Sequence, residues 1–115
     1  MPLDGIDHGA ADALRIIDAV IARLGPKGER WHHGTRDAKG KHCLRSALRY
    51  ARRKLKTAPG DPATDYIRQA IREVPGLPGF YGYVEAFNSR GATKFRDVRE
   101  VLLRAKELAA IGAGV

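Results

Sequence analysis

The chain has 115 residues, 43% of them hydrophobic and 30% charged, and 21 Lys or Arg against 13 Asp or Glu give a net charge of +8. This length suits one domain with a single core, and the composition excludes a disordered chain. A lone cysteine excludes an internal disulfide, and no apolar run approaches the ~18 residues of a membrane span, so we expect a cytoplasmic protein without a membrane partner.

The first predicted helix covers residues 10–24, where apolar side chains recur at the spacing of one helical face. Gly25 and Pro26 end it, since Gly suits a left-handed cap and Pro cannot continue a helix. The stretch 27–41 contains three glycines and short polar runs, which predicts a loop or a small hairpin with Trp31 turned inward. The inner face of this first helix is predicted to consist of Leu14, Ile17, Ile21 and Leu24.

Three further helices and one short helical segment are predicted in the rest of the chain. The second helix covers residues 42–56, and the third begins at Asp61 and Pro62, a pair typical of a helix start. Residues 80–88 form a helical turn or two, and Thr93 caps a last helix over 94–110. The fold is therefore expected to be all-α: four to five short helices in one compact domain, residues 10–110, with loose tails at 1–9 and 111–115. The predicted inward side chains are Leu44, Leu48, Ala51 and Leu55 in the second helix, Tyr66, Ile67, Ala70, Ile71 and Val74 in the third, and Phe95, Val98, Leu102, Ala105 and Leu108 in the last.

The positive charge is concentrated on the second helix. Seven Lys or Arg and no Asp or Glu lie between Lys41 and Lys56. At ~100° per residue, most of these cations share one arc, and the apolar stripe lies about 100° away, with Tyr50 nearer the core side. Such a row suits phosphates or an acidic protein surface, although it is also compatible with a plainly solvated face. The candidate binding residues for nucleic acid or an acidic partner are Arg45, Arg49, Arg52, Arg53 and Lys56.

The alternative hypothesis is that the start of the same helix carries a catalytic nucleophile. Cys43 lies at its predicted start beside His42, a pair that a small Cys-dependent hydrolase or transferase would use. A buried core cysteine is the structural interpretation of the same residue. His32 and His33 are adjacent in the loop and lack the ligand spacing of a zinc site, so we expect no metal and no other cofactor. The leading hypothesis is therefore a non-enzymatic binding module.

Several short stretches resemble a family of small bacterial and phage proteins of unknown function. They are a Trp-containing loop with Trp31, the run 36–40 (Arg-Asp-Ala-Lys-Gly), the run 43–48 (Cys-Leu-Arg-Ser-Ala-Leu), the turn 87–89 (Phe-Asn-Ser) and the helical run 98–105. Ser46 replaces the usual small Gly, and Ser89 stands where Asp is common. The resemblance covers about residues 11–109 and implies a compact helical domain with no known activity.

The resemblance also implies roles for individual side chains. Trp31, Cys43 and Ala47 would be packing residues. Asn88 and Thr93 would cap the final helix, with Asn88 holding the turn that precedes it.

Overall fold

A computed structural model describes residues 8–33, 40–57, 62–75 and 84–114. These residues form five α-helices, α1 His8–Leu24, α2 Leu44–Leu55, α3 Pro62–Arg72, α4 Val84–Ser89 and α5 Phe95–Gly112. The all-α prediction is confirmed. The helical part begins two residues before and ends two residues after the predicted limits 10–110, and those domain limits stay a prediction.

Helix α1 is the centre of the fold, because it packs against α2, α3 and α5. Ile17 and Leu24 are fully buried as predicted, whereas Leu14 and Ile21 are only half-buried. The buried face is rotated from the predicted one because α1 is covered from several sides, and this rotation brings further apolar side chains into the core. The additional fully buried positions of α1 are Ala10, Ala13, Ile16 and Val20.

The other helices complete the core around α1. Helix α3 also packs against α5, and the short α4 lies against both α2 and α3. Most of the predicted inward residues are buried; Leu55, Tyr66, Val74, Phe95 and Leu108 are half-buried at its margin. None of the described helices is long and apolar enough to cross a lipid bilayer.

The segment between α1 and α2 is a loop closed by one parallel bridge between Trp31 and His42. The His32 N–H donates to the His42 carbonyl at 2.8 Å, and the His42 N–H donates to the Arg30 carbonyl at 2.6 Å. A hairpin would pair antiparallel strands, so of the two predicted alternatives the bridge supports the loop. The run 34–39, which includes most of the Arg-Asp-Ala-Lys-Gly stretch, lies outside the described residues.

The start of α5 differs from the prediction. The Lys94 N–H donates to Asp97 Oδ2 at 2.8 Å, so a carboxylate inside the helix satisfies this backbone donor. The predicted cap, Thr93, is buried, and its Oγ1 has no hydrogen-bond partner among the described residues. Asn88 does not cap α5 either, because it belongs to α4 and points into the interior.

Candidate basic interface on helix α2

The Asn88 side chain joins the loop to the beginning of α2. Its Oδ1 accepts from Trp31 Nε1 at 2.8 Å and from the Leu44 N–H at 3.0 Å. Its Nδ2 donates to the carbonyls of His32 and His33, each at 3.1 Å. Asn88 is 1% exposed, and both atoms of its carboxamide are satisfied, as a buried amide requires. The first turn of α2 is therefore anchored to a residue far along the chain.

Both ends of α2 have identifiable caps. At the start, Cys43 Sγ accepts from the Ser46 N–H at 3.4 Å, the position of an N-cap side chain. At the end, Lys56 adopts the left-handed conformation with φ 50°, and its N–H donates to the Arg52 carbonyl at 3.0 Å. The last turn carries three basic residues, which interact favourably with the negative end of the helix.

The structure divides the five predicted binding residues into two groups. Arg45 is ion-paired with Glu85 of α4, and Arg52 is half-buried beside the same pair. Arg49, Arg53 and Lys56 are exposed, and across the described ranges no carboxylate pairs with them. These three cations, which we call the open row, are the part of the predicted surface that is available to a partner.

Cationic side chains also flank α2 on the side that faces α1. Arg23 places its guanidinium carbon 4.5 Å from the centre of the Tyr50 ring, and its Nε donates to His42 Nε2 at 3.0 Å. The exposed Lys54 approaches the same ring at 5.8 Å. Arg23 is not among the predicted binding residues, although its position next to the apolar stripe of the first helix indicates that it lies at an interface between helices. The Tyr50 ring is half-buried at this interface between α1 and α2.

The candidate nucleophile pair lies at the start of α2, where the thiol and the imidazole each bond other groups of the protein. Cys43 is 6% exposed, as the packing role implied. The His42 ring bonds Arg23 through Nε2 and Ser46 Oγ through Nδ1 at 3.1 Å, so Nδ1 carries the proton when Arg23 donates to Nε2. The Cys-dependent hydrolase or transferase stays a prediction.

The loop histidines contact protein groups. His33 Nε2 lies 2.7 Å from the Arg90 carbonyl, which makes it a donor, and its ring meets Trp31 edge-on at a centroid distance of 5.6 Å. Within the described part of the chain, no group of three or more His, Cys, Asp or Glu side chains is arranged to hold a metal ion.

Acidic side chains are paired on a different part of the surface. Arg104 of α5 donates from Nε and a terminal nitrogen to both oxygens of Glu73, at 2.8 and 3.0 Å, and a further bond reaches Glu107 at 3.0 Å. The hydrogen bonds from Arg104 lower the pKa of Glu73, and those carboxylates raise the pKa of Arg104. Arg104 is thus paired with carboxylates of α5 and of the residue that follows α3, whereas α2 contributes cations without acidic residues.

Comparison with known proteins identifies a family and no closer relative. No curated protein and no solved structure matches the chain significantly. A family model does match, over residues 6–108, which is nearly the whole chain. The protein therefore belongs to the family of unknown function DUF6197.

Proposed function

We propose that the protein is a non-enzymatic binding module that contacts the phosphates of nucleic acid through α2. The observation that carries this proposal is the open row of Arg49, Arg53 and Lys56, which has no acidic partner among the described residues. Like charges spaced three or four residues apart on a helix repel one another, so an uncompensated row is stabilised by an external anion. Arginine supplies planar, paired donors that match phosphate oxygens.

The spacing of the basic residues suits a phosphate backbone. Successive members from Arg45 to Lys56 are one to four residues apart and advance by about 1.5–6 Å along the helix axis, so the whole set extends about 17 Å at 1.5 Å per residue. The same length of duplex DNA carries about ten negative charges. Each exposed cation can therefore meet a phosphate without any deformation of the helix.

Nucleic acid fits this surface better than an acidic protein. Protein–protein interfaces concentrate their affinity in buried aromatic or aliphatic anchors surrounded by polar groups. The large apolar side chains that are exposed among the described residues are Leu103 and Ile111, and both belong to α5. A phosphate contact needs no such anchor, so the α2 surface is sufficient for it as it stands.

The test is a titration with fluorescent duplex DNA and single-stranded RNA at several salt concentrations. The informative variant is Arg49→Glu with Arg53→Glu, because Arg45 and Arg52 have contacts within the protein. A matched control reverses two exposed arginines of α5, Arg96→Glu with Arg99→Glu, and so changes the net charge equally.

We expect the logarithm of the duplex affinity to fall linearly with the logarithm of the salt concentration, with a slope of about −0.9 per phosphate contact. Loss of two contacts reduces the magnitude of this slope by about 1.8. At ~0.1 M salt the same loss weakens binding at least 60-fold. The control variant retains most of the affinity. Equal losses in both variants would show that net charge, and not α2, governs binding. No binding at ~50 mM salt would refute nucleic acid and favour an acidic protein partner.

The nucleophile alternative has a separate test. A catalytic Cys43 reacts rapidly with iodoacetamide at neutral pH in the folded protein. The packing and capping role predicts instead slow alkylation that becomes fast only in urea, and a Cys43→Ser variant that folds and binds normally, because Ser is a favourable N-cap. The cytoplasmic location stays a prediction.

A further inference from the structure

A discrete groove of about 290 Å³ lies between α1 and α2, on the α1-facing side of α2. Three alanines form its small apolar walls, and the remaining lining residues are Arg23, Arg30, Tyr50 and Lys54. Three of these are cationic, and no carboxylate is among the described residues that line the groove. The groove therefore combines space with concentrated positive charge.

Arg23 is held in place for contact with a ligand. Its Nε is engaged by His42 Nε2, and its guanidinium lies over the Tyr50 ring, so both the position and the plane of the group are determined. Its two terminal amino groups form no hydrogen bond with the described residues. These amino groups are the pair of donors that arginine offers in bidentate contact with an oxyanion.

Arg30 and Lys54 bring two more cations to the same groove. Arg30 Nη1 donates to the Arg23 carbonyl at 3.4 Å, and Lys54 Nζ lies 5.8 Å from the Tyr50 ring centre. Three like charges that line one groove repel one another, and an anion between them removes that repulsion. The half-buried position of Arg23 makes the attraction for an anion stronger than at a fully exposed site.

We propose that this groove is a binding site for a phosphate group. Its volume is at the lower limit of ligand sites, which admits a phosphate with a few attached atoms and excludes a large ligand. The phosphate is supplied either by the end of a nucleic-acid strand or by a free phosphorylated small molecule. This site is separate from the open row and does not depend on the function proposed for it.

The first experiment adds inorganic phosphate to isotope-labelled protein and follows its NMR spectrum. We expect saturable shifts at the Arg23 Nε–H and the Tyr50 ring. Lys54→Met and Arg30→Met each remove one cation from exposed positions and weaken the affinity about tenfold, the value of one charge-assisted hydrogen bond. Arg99→Met removes the same charge from an exposed position of α5, outside both the groove and the open row, and changes the affinity less than twofold.

The second experiment distinguishes the two sources of phosphate with single-stranded oligonucleotides that carry a 5′-phosphate or a 5′-hydroxyl. Tighter binding of the phosphorylated strand, lost in Lys54→Met, identifies a strand end. Equal binding of both strands, with displacement of inorganic phosphate by a free nucleotide, identifies a small molecule. The proposal is overturned if inorganic phosphate gives no localised shifts, or if Arg99→Met weakens its binding as much as Lys54→Met does.

Discussion

The Asn88→Ala substitution tests whether one buried carboxamide holds the loop and α2 together. The variant leaves two backbone carbonyls, the Trp31 Nε1–H and the Leu44 N–H without their partner. Each buried polar group that loses its hydrogen bond costs about 1–3 kcal/mol. Three of these four groups belong to half-buried residues, whereas Leu44 is fully buried, so the Leu44 N–H carries the largest single cost.

We expect the free energy of unfolding to fall by about 3–4 kcal/mol, which lowers the Tm by roughly 10–20 °C in a chain of this size. Urea unfolding monitored by fluorescence is well suited to the measurement, because Trp31 is the only tryptophan and contacts Asn88 directly. The control is Ser89→Ala, at the exposed next position of α4, which we expect to change stability by less than ~0.5 kcal/mol. A loss below ~1 kcal/mol in Asn88→Ala would refute the anchoring role.

Three further predictions concern a close packing contact, a surface carboxylate and a strained cap. A Cβ at Gly28, where φ is +72°, would lie 2.4 Å from an aromatic ring of α5, so Gly28→Ala costs about 2–4 kcal/mol. A Cβ at Gly40, where φ is +77°, would have no described atom within 4 Å, so Gly40→Ala costs only about 1 kcal/mol. Thermal unfolding measures the stability of both variants. We expect an NMR titration to find the pKa of Glu73 below its ordinary value and to find that value restored in Arg104→Gln. The stabilisation from this pair is present above the pKa that Glu73 has in the unfolded chain, and it is lost as the pH falls through the lowered pKa of the folded protein. Lys56→Gly relieves the left-handed strain, and we expect urea unfolding to show a gain in stability of about 0.5–1 kcal/mol. The same variant is expected to bind nucleic acid more weakly, and unchanged binding would show that Lys56 does not contribute to the open row.

Local periodicity was enough to predict the helices, because burial of one face depends on spacings of three and four residues. Gly25 and Pro26 marked the end of α1 correctly, and Pro62 is the first residue of α3. The parts that could not be predicted depend on partners distant in sequence. Asn88 bonds residues 44–57 positions away, and no local pattern distinguishes such a residue from a helix cap.

The candidate site shows the same division. Charge spacing on α2 located Arg49 and Arg53 on an exposed surface, because the wheel places them away from the apolar stripe. It could not show that Arg45 is paired with Glu85, since that ion pair requires α4 to pack beside α2. The groove was missed for the same reason, because Arg23 enters it from another helix.

The Asn88 bonds also impose an order on folding during synthesis. The first turn of α2 is anchored by a side chain that leaves the ribosome 44 residues later. A nascent chain that ends before α4 has the basic residues of α2 but lacks this anchor, and pairing over such separations closes late because loop entropy opposes it. The cationic surface is therefore organised only after α4 has emerged, and a shorter nascent chain carries the basic residues of α2 without the fixed spacing of the anchored helix.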